Sequence, residues 1–238
     1  MKLTVLARPN LEEMIQAIAD AIARVLGEAL QKRGRASLFL SGGSTPAPVY
    51  ERLAQVHGAA LPWDRITLFW GDERWVKPDD PLSNQRMARE KLIDRIAIPA
   101  GNVFPIPTEG TPADAADRYD DLLRDRFPER GPGPDLVLLG LGPEGHTASL
   151  FPGSPALQET VRWTTAVTVE ATPPRRLTVT YPLLNRAEQI FFLAAGRKKA
   201  QIVRKIFIEG PPLVECPAAG VRPAQGGLSW WLDEEAAS

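Results

Sequence analysis

The feature that most constrains this chain is a set of four short apolar runs, each ending in a polar cluster that contains glycine. ASLFL (36–40) leads into Ser41-Gly42-Gly43-Ser44-Thr45, and ITLFW (66–70) into Gly71-Asp72-Glu73-Arg74. DLVLL (135–139) leads into Gly140-Leu141-Gly142-Pro143-Glu144-Gly145-His146-Thr147, and QIFFLA (189–194), through Ala195, into Gly196-Arg197-Lys198-Lys199. Apolar runs of this length bounded by turn residues read as strands buried on both faces. Helical patterns stand between them. Asn10 with Glu13 forms a capping box ahead of a 3.6-residue apolar period that stops at Gly34. Thr45-Pro46 opens a second helix, Ser83 caps a third and Thr111-Pro112 opens a fourth, while 197–208 carries a last helical stripe. Segments 163–169 and 177–180 read as further strands, and 228–232 as a short packed segment.

Strands alternating with helices predict an α/β fold with a mostly parallel sheet covered on both faces. In such sheets ligands bind beyond the carboxyl ends of the strands. If the four runs are parallel, their polar clusters converge on one rim. With 238 residues and no repeat, the chain is expected to form a single domain over 1–238.

Bulk properties exclude several classes of partner. Net charge is -1, which gives no field for nucleic acid or an anionic membrane, so an anionic ligand would need local cations. The start, MKLTVLARPNLEEM, has too short an apolar run for a signal peptide, and no stretch is long enough to span a membrane. Cys216 is the one cysteine, read as a small buried hydrophobe in a reducing compartment. A cytoplasmic protein is the expectation.

Each cluster has a chemical reading and a plainer one. Gly42, Gly43, Ser44 and Thr45 suit a phosphate, because glycines admit close backbone approach and a helix start offers free N–H groups and hydroxyls; the same residues also make an ordinary capped turn. Asp72, Glu73 and Arg74 read as an anion grip or as a salt-bridged surface turn. Lys198 and Lys199 at a helix start oppose the helix dipole, which a bound anion or plain solvation would relieve. His146 is the sharpest signal. It is one of two histidines and stands in a glycine-rich turn after a buried strand, where an imidazole can move protons near neutral pH. Glu144 is placed to orient it. His57, in AQVHGAA, reads as an exposed residue near a helix end. One cysteine and one well-placed histidine do not make a common zinc site, and no Gly-x-Ser-x-Gly elbow marks a serine nucleophile.

LSGGSTP, GDERWV, SNQRMARE, GLGPEGHTASLFPGSP, RRLTVTYPLLN, FFLAAGRKKA and VRPAQGGLSWWLDEEAA together resemble the 6-phosphogluconolactonase family, in order, from about residue 38 to the end. The resemblance implies a Rossmann-like three-layer sandwich. It also implies hydrolysis of 6-phospho-D-glucono-1,5-lactone, the second step of the oxidative pentose phosphate pathway, without a cofactor or metal. Carried over by position, the proton-transfer histidine is His146, the arginine of the acid-acid-Arg turn is Arg74 and the late lysine is Lys199. The 42–45 turn, with Asp72, completes the substrate and phosphate pocket. Two positions depart from the family pattern: Glu144 stands where Asp is common, and Ala47 where Lys is common. The related amino-sugar-phosphate isomerases carry a glutamate five residues after their histidine, where this chain has Phe151. A non-catalytic sugar-phosphate-binding module is the third reading, and oligomeric state is left open.

Overall fold

The structure, a computed structural model, describes residues 2–238. The strands are β1 (Lys2–Arg8), β2 (Ala36–Leu40), β3 (Ile66–Trp70), β4 (Asp72–Arg74), β5 (Val103–Phe104), β6 (Leu136–Gly140), β7 (Thr164–Thr168), β8 (Arg175–Val179), β9 (Gln189–Ala194) and β10 (Gly227–Asp233). The helices are α1 (Leu11–Arg33), α2 (Pro46–His57), α3 (Asn84–Lys91), α4 (Pro112–Arg126), α5 (Tyr181–Leu184), α6 (Ala200–Arg204) and α7 (Glu234–Ala237). Seven strands form one parallel sheet in the order β1-β10-β9-β6-β2-β3-β5. Every residue of β2, and every residue of β6 before Gly140, is buried, which requires cover on both faces. Phe39, Phe69 and Phe104 on three neighbouring strands stack with centroids 4.9 and 5.3 Å apart, forming one continuous aromatic face.

The helix ends follow from local chemistry. Asn10 Oδ1 accepts the Glu13 N–H at 2.9 Å, and α1 closes on Gly34 in the left-handed region, φ 71°. Ser83 and Thr111 likewise accept N–H groups with their side chains at the starts of α3 and α4. Thr45 differs from the sequence expectation. Its backbone is already helical and its side chain makes no capping bond, so Pro46 alone supplies the start signal for α2.

Four other features depart from the reading of the chain. The segments 164–168 and 175–179 are strands, but they join β4 in a separate antiparallel sheet, β4-β8-β7. The Asp72-Glu73-Arg74 cluster is thus itself a strand rather than a turn. The stripe over 197–208 is not one helix: a 3₁₀ turn, α6 and a π turn follow in succession, ending at Gly210 with φ 59°. β10, expected only as a packed segment, is an inner strand between β1 and β9. No helix among the described residues is long and apolar enough to cross a membrane.

Candidate active site

Because β2, β3, β6 and β9 are parallel, their carboxyl ends deliver all four polar clusters to one rim. There they border one open cleft. Gly42, Gly43, Ser44, Thr45, Asp72, Arg74, His146 and Lys199 all line it. Glu144 approaches it through His146.

The 42–45 turn is held from beneath by Tyr50. Its buried hydroxyl accepts the Ser41 N–H and donates to the Ser41 carbonyl, both at 2.8 Å. Gly43 has φ 109°, outside the range of ordinary residues. Gly42 must lack a side chain because a Cβ there would run into the Asn84 amide. That amide is fixed by donating to the Asp72 carbonyl at 2.9 Å and to Asp72 Oδ1 at 3.2 Å.

Glu73 ties β4 to the start of α3. Its side chain is fully buried. Oε1 accepts the Arg74 N–H at 2.7 Å and the Asn84 N–H at 2.8 Å. Oε2 accepts the Gln85 N–H at 2.7 Å and the Ser83 hydroxyl at 3.2 Å. Burial pushes this carboxyl up to about 7, against backbone donors that favour the anion. The Glu73 carboxylate thereby fixes where Arg74 leaves the strand. Arg74 Nη1 donates to the Leu82 carbonyl at 2.6 Å, while its buried Nε has no partner.

The sequence reading did not single out Arg176. β4 pairs antiparallel with β8 so that Arg74 lies opposite Arg176, which places two guanidinium groups side by side in the cleft wall. Arg176 is 6% exposed, and among the described residues it forms no ion pair. Its Nε donates to the Pro173 carbonyl at 3.1 Å. Burial holds its pKa below the usual value, with the charge of Asp72 opposing and that of Arg74 reinforcing the effect. A buried, unpaired guanidinium facing a cleft is a strong anion-binding feature. The signal available in the sequence was the pair of arginines that opens RRLTVTY, directly ahead of the residues read as a strand.

Lys199 is half-buried, while Arg197 and Lys198 beside it are less enclosed, and Lys199 alone of the three lines the cleft. Burial lowers its pKa, and the charge of Glu144 opposes that shift. Asp72, by contrast, is engaged within the protein: Oδ2 accepts the Ser149 hydroxyl at 2.7 Å and Oδ1 faces Asn84.

His146 sits where the loop after β6 closes on itself. The Gly142 N–H donates to the His146 carbonyl at 2.8 Å, and the Gly145 N–H to the Gly142 carbonyl at 3.0 Å. A side chain on Gly142 would strike the imidazole, and one on Gly145, φ 91°, would lie 2.5 Å from Cys216 Sγ. Cys216 is fully buried against this turn, as expected of a small hydrophobe. Glu144 Oε1 stands 2.9 Å from His146 Nδ1, yet Nδ1 has no aligned hydrogen bond. The contact is one of charge and distance rather than an in-line N–H donor. The other histidine, His57, is the last residue of α2 and pairs with Asp20 at 2.7 Å, outside the cleft.

A glycine-rich turn with two hydroxyl side chains, three cations and one imidazole thus line a single cleft, an arrangement able to hold an anion and to move a proton. Residues 9–230 match the family model described as glucosamine-6-phosphate isomerases/6-phosphogluconolactonase. A 6-phosphogluconolactonase from a Nostoc species is 41% identical over 99% of this chain and 98% of that protein. One from a Synechocystis species is 43% identical over 95% of this chain and 94% of that protein. The solved structure of the Trypanosoma brucei 6-phosphogluconolactonase superposes with a TM-score of 0.85 at 33% identity, covering 99% of this chain and 97% of that one. The chain belongs to the glucosamine-6-phosphate isomerase/6-phosphogluconolactonase family.

Proposed function

We propose that this chain hydrolyses 6-phospho-D-glucono-1,5-lactone to 6-phospho-D-gluconate, with His146 as the general base and acid. The observation that carries the reading is the imidazole of His146 on the wall of a cleft whose other groups are Arg74, Arg176, Lys199 and the 42–45 turn. The 6-phosphogluconolactonases at 41% and 43% identity support the same substrate class.

In this reading the phosphate rests on the backbone and hydroxyls of Gly42, Gly43, Ser44 and Thr45, and the cations neutralise it. His146 takes a proton from water as the water oxygen attacks the lactone carbonyl. The carbonyl π pair moves onto oxygen, and nearby N–H groups stabilise the oxyanion. The oxyanion then collapses, the ring C–O bond breaks, and His146 returns the proton to the leaving ring oxygen. Glu144 supports the imidazole through its charge near Nδ1. Asp72 braces the pocket by holding Ser149 and Asn84. No covalent intermediate, metal or cofactor enters these steps. We assign all of residues 1–238 to one such domain, acting in the cytoplasm.

An isomerase reading requires a proton-shuttling partner for the histidine, and the position five residues on is Phe151. A binding-only reading leaves the imidazole on the wall of the cleft without a role. The experiment is direct: generate the lactone in situ with glucose-6-phosphate dehydrogenase, add the protein and follow 6-phosphogluconate against spontaneous hydrolysis. Acceleration proportional to protein supports the proposal, and a rate equal to the uncatalysed one overturns it.

A further inference from the structure

We infer that Phe151 is a positioning residue for His146, setting the plane of the imidazole from behind the cleft. The inference rests on the hydrolytic reading of His146 above. It begins with the backbone. Thr147 and Leu150 exchange both of their main-chain hydrogen bonds, at 3.3 and 2.9 Å, which closes a two-residue turn at Ala148-Ser149. Ala148 accepts φ 48° to make this turn, as the first position of a tight hairpin requires. In an antiparallel pair, the residues flanking a hydrogen-bonded pair face each other on the opposite side at the shorter separation. Those residues are His146 and Phe151, and their rings lie stacked with centroids 4.1 Å apart and planes 16° from parallel.

The turn that sets this register is anchored at three points. Ser149 Oγ donates to Asp72 at 2.7 Å, the Ser149 N–H to Thr178 Oγ1 at 3.1 Å, and Thr147 Oγ1 to the Gly140 carbonyl at 2.8 Å. Thr147, Ser149 and Leu150 are fully buried. The framework beneath the Phe151 ring is therefore firmer than the carboxylate beside the imidazole. Glu144 is 42% exposed at its side chain, sits on the longer of the two carboxylate arms and makes no aligned bond to Nδ1. A stacked ring supplies what that contact lacks: it restricts tilt of the imidazole while leaving both nitrogens free for proton transfer. Arg176 stands over the same phenyl ring, with its guanidinium carbon 5.4 Å from the centroid. His146, Ala148 and Arg176 line the cleft and Phe151 does not, so Phe151 acts through its neighbours rather than on substrate.

The test compares Phe151→Leu, Phe151→Met, Phe151→Tyr and His146→Asn in the full chain, measuring kcat, KM for the phosphorylated lactone and melting temperature. Misplacing a proton-transfer group is expected to lower kcat about ten- to a hundredfold in the Leu and Met variants, with KM within about twofold. Phe151→Tyr, which keeps the stack, is expected to retain kcat within about threefold of wild type. The Met variant keeps much of the volume and serves if the Leu variant does not fold. A folded Leu or Met variant with wild-type kcat overturns the inference. So does a Tyr variant as slow as Leu, or a rise in KM at unchanged kcat, which would make Phe151 a substrate contact. His146→Asn separates the two claims. If it is inactive while Phe151→Leu is normal, the inference alone fails; if it is active, the assignment of His146 as the proton-transfer group fails as well.

Discussion

Replacing Glu73 by glutamine should flatten the pH dependence of folding stability. The native carboxyl lies at about 7, against an ordinary value of 4.5, because burial penalises the anion more than its donors repay it. A carboxyl raised in the folded state binds more protons there than in the unfolded chain, so stability falls as pH rises between the two values. The shift corresponds to about 3 kcal/mol in full, of which about 2–3 kcal/mol is lost between about pH 5 and pH 8. A neutral amide in place of the carboxyl has no charge to desolvate, so that loss should vanish in Glu73→Gln. The new amide nitrogen would face the Gln85 N–H, which in the wild type donates to Oε2 at 2.7 Å. One donor is then left unmatched, at a cost of about 1–3 kcal/mol at every pH. The variant should therefore be less stable than wild type near pH 5 and draw level with it, or pass it, near pH 8. Urea unfolding of both proteins across that range measures this. Parallel stability curves with a constant offset would refute the assignment of the slope to Glu73.

Arg74→Ala and Lys199→Ala should raise KM for the phosphorylated lactone about tenfold to a hundredfold each, the loss of one charge-assisted bond, and change KM for unphosphorylated gluconolactone little. Equal effects on both substrates would place these cations at the carbonyl instead. Gly42→Ala should both destabilise the protein, by about 1–3 kcal/mol, and weaken substrate binding, because its methyl group displaces the buried Asn84 amide that Asp72 holds. A melting curve and KM unchanged from wild type would show that the turn yields without cost.

What could be read from the chain depended on how local the signal was. The four strand-to-cluster junctions were legible because burial on both faces leaves an apolar run and the ligand-facing end leaves glycine and polar residues. From these came the parallel sheet and the rim that gathers the four clusters; the choice of Lys199 over Lys198 came from the family resemblance instead. The small antiparallel sheet was not legible. Whether 164–168 and 175–179 join the main sheet or pair with Asp72–Arg74 depends on long-range contacts that leave no periodicity. β10 shares that difficulty, since LSWWL looks like a packed segment until it is paired along its length, and β1, its parallel partner, was not read as a strand at all. Arg176 was missed for a related reason: its importance lies in facing Arg74 across β4 and β8, a neighbour 102 residues away in the chain. Thr45 shows the opposite error, in which a good capping residue type sits at a position whose backbone is already helical.

The central claim, that His146 carries the proton in lactone hydrolysis, is tested most directly by kcat of His146→Asn on the in situ lactone, paired with its melting temperature. Asn keeps a polar side chain in the turn but cannot shuttle a proton. The account predicts that kcat falls about 10²–10⁴-fold, the usual range for loss of a positioned acid–base group, with KM and melting temperature little changed. A folded His146→Asn protein with near-normal kcat would contradict it.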